Sequence, residues 1–168
     1  MSIKPMMAEV AQRGLARQGF ASLFPKIKTR IVRRGEVIDE EVDLLPGYGL
    51  VCFDAGDPDC RWEDITHTRG VRRLLPVSDR PMKIPSGFVE QMVDRISTVE
   101  TVNLDAQHNY VVGQLVDILS GPFTNFQGVF MRRRNKGWAE LEVSLFGNIT
   151  RATVAFHQIR PAVDQTVH

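Results

Sequence analysis

The 168-residue chain contains no apolar run near the ~20 residues that a helix needs to cross a bilayer. It also lacks a secretory signal, because Met1-Ser2-Ile3-Lys4-Pro5 has no apolar core following its lysine. A cytoplasmic location is therefore expected, with no membrane partner. Cysteine is scarce. Cys52 and Cys60 stand eight positions apart, which fits neither a zinc knuckle nor a redox C-x-x-C pair. His67, His108, His157 and His168 are scattered and complete no metal set with them. No carboxylate pair, nucleophile–base set or phosphate loop is legible, so catalytic residues, metal and cofactor are all expected to be absent and an enzyme is not the expected class. An excess of one charge is missing too. The net charge is only +1, so bulk electrostatics do not force a nucleic-acid partner.

What is present is an ordinary globular composition, 43% apolar and 24% charged, long enough for one domain or two small ones. The basic residues do cluster, as Arg30-Arg33-Arg34, as Arg69-Arg72-Arg73, and as Arg132-Arg133-Arg134 with Lys136. Each cluster reads either as a solvated turn or strand edge or as a phosphate contact.

Residues 5–18 read as a helix. Pro5 suits its first turn, Met7, Val10, Ala11, Gly14 and Leu15 share one face, and Gly19 is the expected cap. Residues 20–27 read as a short strand interrupted by Pro25. Ile27–Val32 and Glu36–Val42 flank Arg33-Arg34-Gly35 as a hairpin. Leu44 to Phe53 is largely apolar and reads as one strand buried on both faces. Residues 61–65 carry Trp62 on about one helical turn, residues 71–76 read as a strand, and Pro85-Ser86 opens a helix with Val89, Met92, Val93 and Ile96 at helical spacing. Residues 97–108 have little periodicity and read as a linker. From 109 onward the pattern is all β, with Leu141, Val143 and Leu145 alternating against Glu140, Glu142 and Ser144. Short strands and turns packed into so few residues imply a small barrel.

Within that barrel, Gly113-x-x-Val116-x-Ile118-x-x-Gly121-Pro122-Phe123 followed by Gly128-Val129 resembles the KOW motif. Val143-Ser144-Leu145-Phe146-Gly147-Asn148-Ile149-Thr150, then Val154-x-Phe156-x-x-Ile159, is similar to the C-terminal domain of the NusG family. Leu45-Pro46-Gly47-Tyr48-x-Leu50-Val51, Trp62, Thr68-Arg69-Gly70-Val71 and Arg80-Pro81-x-x-Ile84-Pro85 follow the order of NusG N-terminal domains. The Thr-Arg-Gly-Val turn is especially like specialised antitermination paralogs. One departure stands out. The family's usual first strand precedes Lys-Pro, and here only Ser2-Ile3 does, so that strand is reduced to a stub or the true start lies upstream.

The resemblance implies an α+β chain. Residues 1–97 would form an α/β sandwich with an antiparallel sheet, 98–108 a linker, and 109–168 a small SH3-like KOW barrel. It implies a transcription elongation and antitermination factor, acting as a monomer by binding alone, that docks on the RNA polymerase clamp and modulates pausing and termination. Tyr48, Leu50, Leu74 and Val77 are the implied polymerase contacts. Arg69, Arg72 and Arg73 would face nucleic acid, with non-template DNA the expected strand. Phe126 and Phe146 would bind a small-subunit ribosomal protein or the termination factor Rho, whereas Phe123 is expected in the core. By the period-2 rule Phe146, next after Leu145, should point outward from the barrel. The alternative reading is a ribosome-associated KOW protein that binds RNA through the Arg132–Lys136 hairpin.

Overall fold

A computed structural model describes residues 1–33, 36–77, 80–96, 100–102, 109–134 and 137–162, with residues 31–33, 77 and 100–102 described by backbone alone. The N-terminal half, referred to below as the first domain after its expected bounds, begins with β1 (Ser2–Ile3), α1 (Ala8–Arg17), β2 (Ala21–Leu23), β3 (Lys26–Arg33), β4 (Glu36–Asp43) and β5 (Leu50–Cys52). It continues through α2 (Asp64–His67), β6 (Val71–Arg73), β7 (Pro76–Val77), β8 (Arg80–Pro81), α3 (Phe88–Ile96) and β9 (Glu100–Val102). The C-terminal unit is β10 (Leu115–Ile118), β11 (Gln127–Arg133), β12 (Trp138–Leu145), β13 (Asn148–Ala155), a 3-10 turn at Phe156–Gln158, and β14 (Ile159–Pro161).

Helix α1 buries Ala11 and Leu15, as the spacing requires, with Glu9 and Arg17 placed favourably against the helix dipole. It starts later than Pro5 because Met6 takes φ +57°, which no helical turn accommodates. It stops at Gln18, and Gly19 at φ +83° supplies the left-handed residue that ends it. The β3–β4 hairpin pairs Lys26 with Asp43 through Arg33 with Glu36, in register throughout. The apolar stretch from Leu44 is not one buried strand. Gly47 at φ +81° and a Tyr48 N–H bonded to the Leu45 carbonyl (2.9 Å) turn the chain first, so only Leu50–Cys52 pairs, with β2, and Cys52 is exposed. The expected linker also contributes structure: Glu100–Val102 pair in parallel with β3, while 97–99 and 103–108 lie outside the described residues.

The first strand survives as β1. It pairs with β6, Ser2 bridges to Tyr48, and the Met1 amine donates to the Gly49 carbonyl at 2.9 Å. Burial lowers that amine's pKa to about 6.

The C-terminal unit, where a small SH3-like barrel is expected, is a five-stranded sheet with strand order β13-β12-β11-β10-β14 and every neighbour antiparallel. Leu141, Val143 and Leu145 face inward and are buried, alongside Phe123 and Trp138. The two halves share one apolar core. Ile27, Val42, Leu44, Leu45 and Met92 of the first domain join Val116, Phe130, Trp138 and Leu141 of the barrel in a continuous cluster. A smaller cluster of Met1, Ile3, Ala11, Leu15, Ile65 and Val71 holds α1 and α2 against β1 and β6. Hydrogen bonds also cross between the halves. Thr153 N–H donates to the Leu44 carbonyl (2.9 Å), Asn148 Nδ2 to the Pro76 carbonyl (3.0 Å), and Arg95 Nη1 to the Gly121 carbonyl (3.3 Å).

Candidate functional site

The expected polymerase contacts are all in the first half of the chain and pack against two apolar clusters. Tyr48 and Leu50 are half-buried against the large shared cluster, and Leu74, just after β6, packs against the smaller one. The side chain of Val77 lies outside the described residues.

The barrel residues do come together. Phe126 and Phe146 meet edge-on, with centroids 6.3 Å apart and planes at 87°. Phe88 of α3 closes the group, 5.0 Å from Phe146 and 6.2 Å from Phe126, again edge-on. Such geometry sets a ring's positive edge against its neighbour's negative face. Phe146 reaches this position by a route that strand parity misses. It takes φ +50° and Gly147 φ +85°, the two left-handed central residues of a tight turn between the paired Leu145 and Asn148. A turn residue obeys no period of two. Its ring is half-buried on the chain's own first domain rather than free. Phe88 itself was missed in the sequence, although it lies four residues before Met92 on the apolar face of α3, and that spacing was the available signal.

The third arginine cluster is committed within the barrel. Arg132 Nη2 donates to Glu140 Oε2 at 2.8 Å, and the carboxylate both accepts that bond and raises the arginine's pKa. Arg133 sits 4.9 Å over the Phe156 ring, and Arg134 Nη1 donates to Thr153 Oγ1 at 3.3 Å. Lys136, at the turn of the expected RNA-binding hairpin, lies outside the described residues. Arg69, Arg72 and Arg73 are exposed, Arg69 in the turn between α2 and β6. Among the described residues no cluster of His, Cys, Asp or Glu is disposed to hold a metal ion, and no helix is long and apolar enough to cross a membrane.

The family model described as "Transcription termination factor nusG" matches residues 1–93, more than half of the chain. The chain belongs to the NusG family. Among curated relatives, the transcription termination/antitermination protein NusG of Thermus thermophilus is 27% identical over 154 residues, spanning 87% of this chain and 83% of its own length. The protein of that name from Rickettsia conorii is 22% identical over 156 residues, covering 92% of this chain and 80% of its own. A solved structure titled "Domain interaction in Thermotoga maritima NusG" aligns over 96% of this chain and 93% of its own, with 15% identity and a TM-score of 0.46. The protein is thus a transcription factor of the termination and antitermination class.

Proposed function

We propose that the N-terminal domain binds RNA polymerase on the helical clamp of its largest subunit, and that the barrel recruits a small-subunit ribosomal protein or Rho. Tyr48 and Leu50 would form the centre of the polymerase surface, with Leu74 and Val77 at its margin. Arg69, Arg72 and Arg73 would face the non-template strand. The factor works as a monomer in the cytoplasm, and binding energy is its whole mechanism, since a clamp held closed pauses less. The observation that carries this reading is the Phe88–Phe126–Phe146 group. A half-buried aromatic pair at the edge of a core is the composition of a binding hot spot. Here its cover is α3 of the same chain, so the barrel's partner competes with Phe88 for the same rings.

Two measurements test this. A fragment of residues 1–97 should retain host polymerase on a column while 105–168 does not, and the reverse result would end the reading. Phe88→Ala in the full chain should raise capture of the barrel's partner several-fold while leaving the barrel folded. Unchanged capture would show that the rings are packing alone.

A further inference from the structure

Asn148 closes the turn that carries Phe146, because its backbone pairs with Leu145. Its side chain reaches out of the barrel to the β7–β8 ribbon of the first domain. There Nδ2, with two hydrogens to give, donates to the Pro76 carbonyl at 3.0 Å and to Met82 Sδ at 3.3 Å. The ribbon explains the first acceptor. Met82 N–H donates to the Leu75 carbonyl at 2.7 Å, so at the next pair, Pro76 with Pro81, the Pro76 carbonyl faces away from β8. The second acceptor is of another kind. A thioether sulfur is a weak hydrogen-bond acceptor, and a peroxide converts it to a polar sulfoxide. Met82 is half-buried, between fully exposed Met6 and fully buried Met92, so a small oxidant reaches it while its sulfur stays engaged.

We propose that Met82 is an oxidation site whose conversion to the sulfoxide loosens the Phe146 turn from the first domain. The sulfur lone pair attacks one oxygen of hydrogen peroxide, an S–O bond forms and the O–O bond breaks. The thioether is oxidised by two electrons, and the other oxygen leaves as water. Neither epimer of the product keeps the contact as built. An N–H···O bond spans about 2.7–3.2 Å, so an oxygen placed between a sulfur and a nitrogen now 3.3 Å apart drives them apart. An oxygen on the far side draws electron density from the sulfur and weakens it as an acceptor. Asn148 then grips the ribbon through Pro76 alone. A sulfoxide reductase fed by a dithiol reverses the change. What the loosening does for a partner of the barrel rests on the role proposed above for Phe146, whereas the chemistry at Met82 does not.

The test treats the full chain with hydrogen peroxide at a dose that leaves buried Met92 unoxidised, so that the core stays closed. Peptide mass spectrometry should find one added oxygen on Met82, acquired more slowly than on Met6. Amide hydrogen exchange over residues 145–149 should then quicken roughly 2- to 10-fold, the factor that one net hydrogen bond is worth. Reduction of the sulfoxide should restore the slow rate. Met82→Leu keeps the volume without the sulfur, so exchange there should be faster from the start and indifferent to peroxide. Asn148→Ala should exchange at least as fast as the oxidised parent and respond no further. Met6→Leu should respond as the parent does. The proposal is overturned if Met82 remains a thioether while Met131, half-buried like it, is converted. It is equally overturned if oxidised Met82 leaves exchange unchanged, if Met6→Leu abolishes the response, or if the response persists in Asn148→Ala. Capture of a small-subunit ribosomal protein or Rho by the immobilised chain is measured alongside. Faster exchange with no gain in capture would sink the partner role of Phe146 alone, because the exchange measurement does not depend on it.

Discussion

In the barrel one antiparallel sheet runs through β13, β12, β11, β10 and β14, with a single register shift between Phe130 and Arg132, whereas the N-terminal half divides its pairing among four sheets of two or three strands. Trp138, Phe123, Leu141, Val116, Val143 and Val154 are the largest of its fully enclosed side chains, and burial is continuous rather than alternating over residues 138–141 and 152–155. The N-terminal domain relies on docking. Strand β1 is two residues long and is held by β6, by the Tyr48 bridge and by the Met1 amine, while α1 is seated through Gly14 and Gly70. Ladders spread stability over many equivalent bonds, and docking concentrates it in a few contacts. The first domain should therefore open at lower free energy, with its amide protons exchanging earlier than those of β11–β13.

The largest expected effects compare the two cores directly. Trp138→Ala removes the largest fully buried side chain and should cost about 3–5 kcal/mol, seen as a lower urea midpoint for the barrel. Leu15→Ala, in the smaller cluster, should cost about 2–5 kcal/mol and be felt first by probes in α1 and β6. If both variants shift one common transition by the same amount, the shared cluster has made the halves a single cooperative unit and the comparison breaks.

A pH series separates the halves next. The Met1 amine has its folded pKa lowered from the ordinary 8.0 to about 6 by burial. Between those values the unfolded chain binds more protons, so stability rises with pH from 6 to 8 and is lost as pH falls back through that window. The full span corresponds to up to about 3 kcal/mol, at 1.36 kcal/mol for each pKa unit. Only probes in the first domain should report it. A version carrying extra residues ahead of Met1 should lose the slope, and a slope that persists there must arise from another group.

Gly70→Ala is a smaller perturbation in the same domain. It forces a side chain into φ +97° and onto the Met7 carbonyl, which should cost about 1–3 kcal/mol and loosen α1 while amide exchange in β12 stays unchanged. A variant of full stability would show that the helix and turn can separate without loss.

What the sequence made legible divides along the same line. Leu141, Val143 and Leu145 betray their strand by alternating with Glu142 and Ser144, although Glu140 on that other face is buried between Arg132 and Arg151, and Val89, Met92 and Ile96 mark α3 in the same way. Leu44 to Phe53 misleads, since an apolar run looks alike whether it pairs on both sides or turns at Gly47 and buries Leu44 and Leu45 individually. The parallel pairing of β9 leaves no local trace, because its partner β3 lies some seventy residues earlier. The same holds for the candidate site. Motif resemblance singles out Phe126 and Phe146, but their companion Phe88 sits on a distant element and is brought in only by tertiary packing.

The smallest effect is expected at Phe146, where the two halves meet. Its ring lies outside the barrel's own set of fully buried side chains and is covered by Phe88 and Phe126 in edge-on contacts. In a fragment of the barrel alone, Phe88 is gone, and Phe146→Ala removes a ring that has lost one of its two aromatic covers while keeping an L-residue at φ +50°. The cost there should stay below ~0.5 kcal/mol, the range of surface substitutions. In the full chain the same change also removes the ring contacts with α3, worth about 0.5–1.5 kcal/mol beyond area burial for an aromatic pair. The difference between the two measurements therefore isolates the coupling of the barrel to the first domain. Phe88→Ala closes the cycle: it should abolish the extra cost, since the partner of the interaction is already missing. Equal costs in fragment and full chain would place the ring's stabilising contacts inside the barrel. Phe146 would then be a packing residue, and the assignment of a partner site to it would fall.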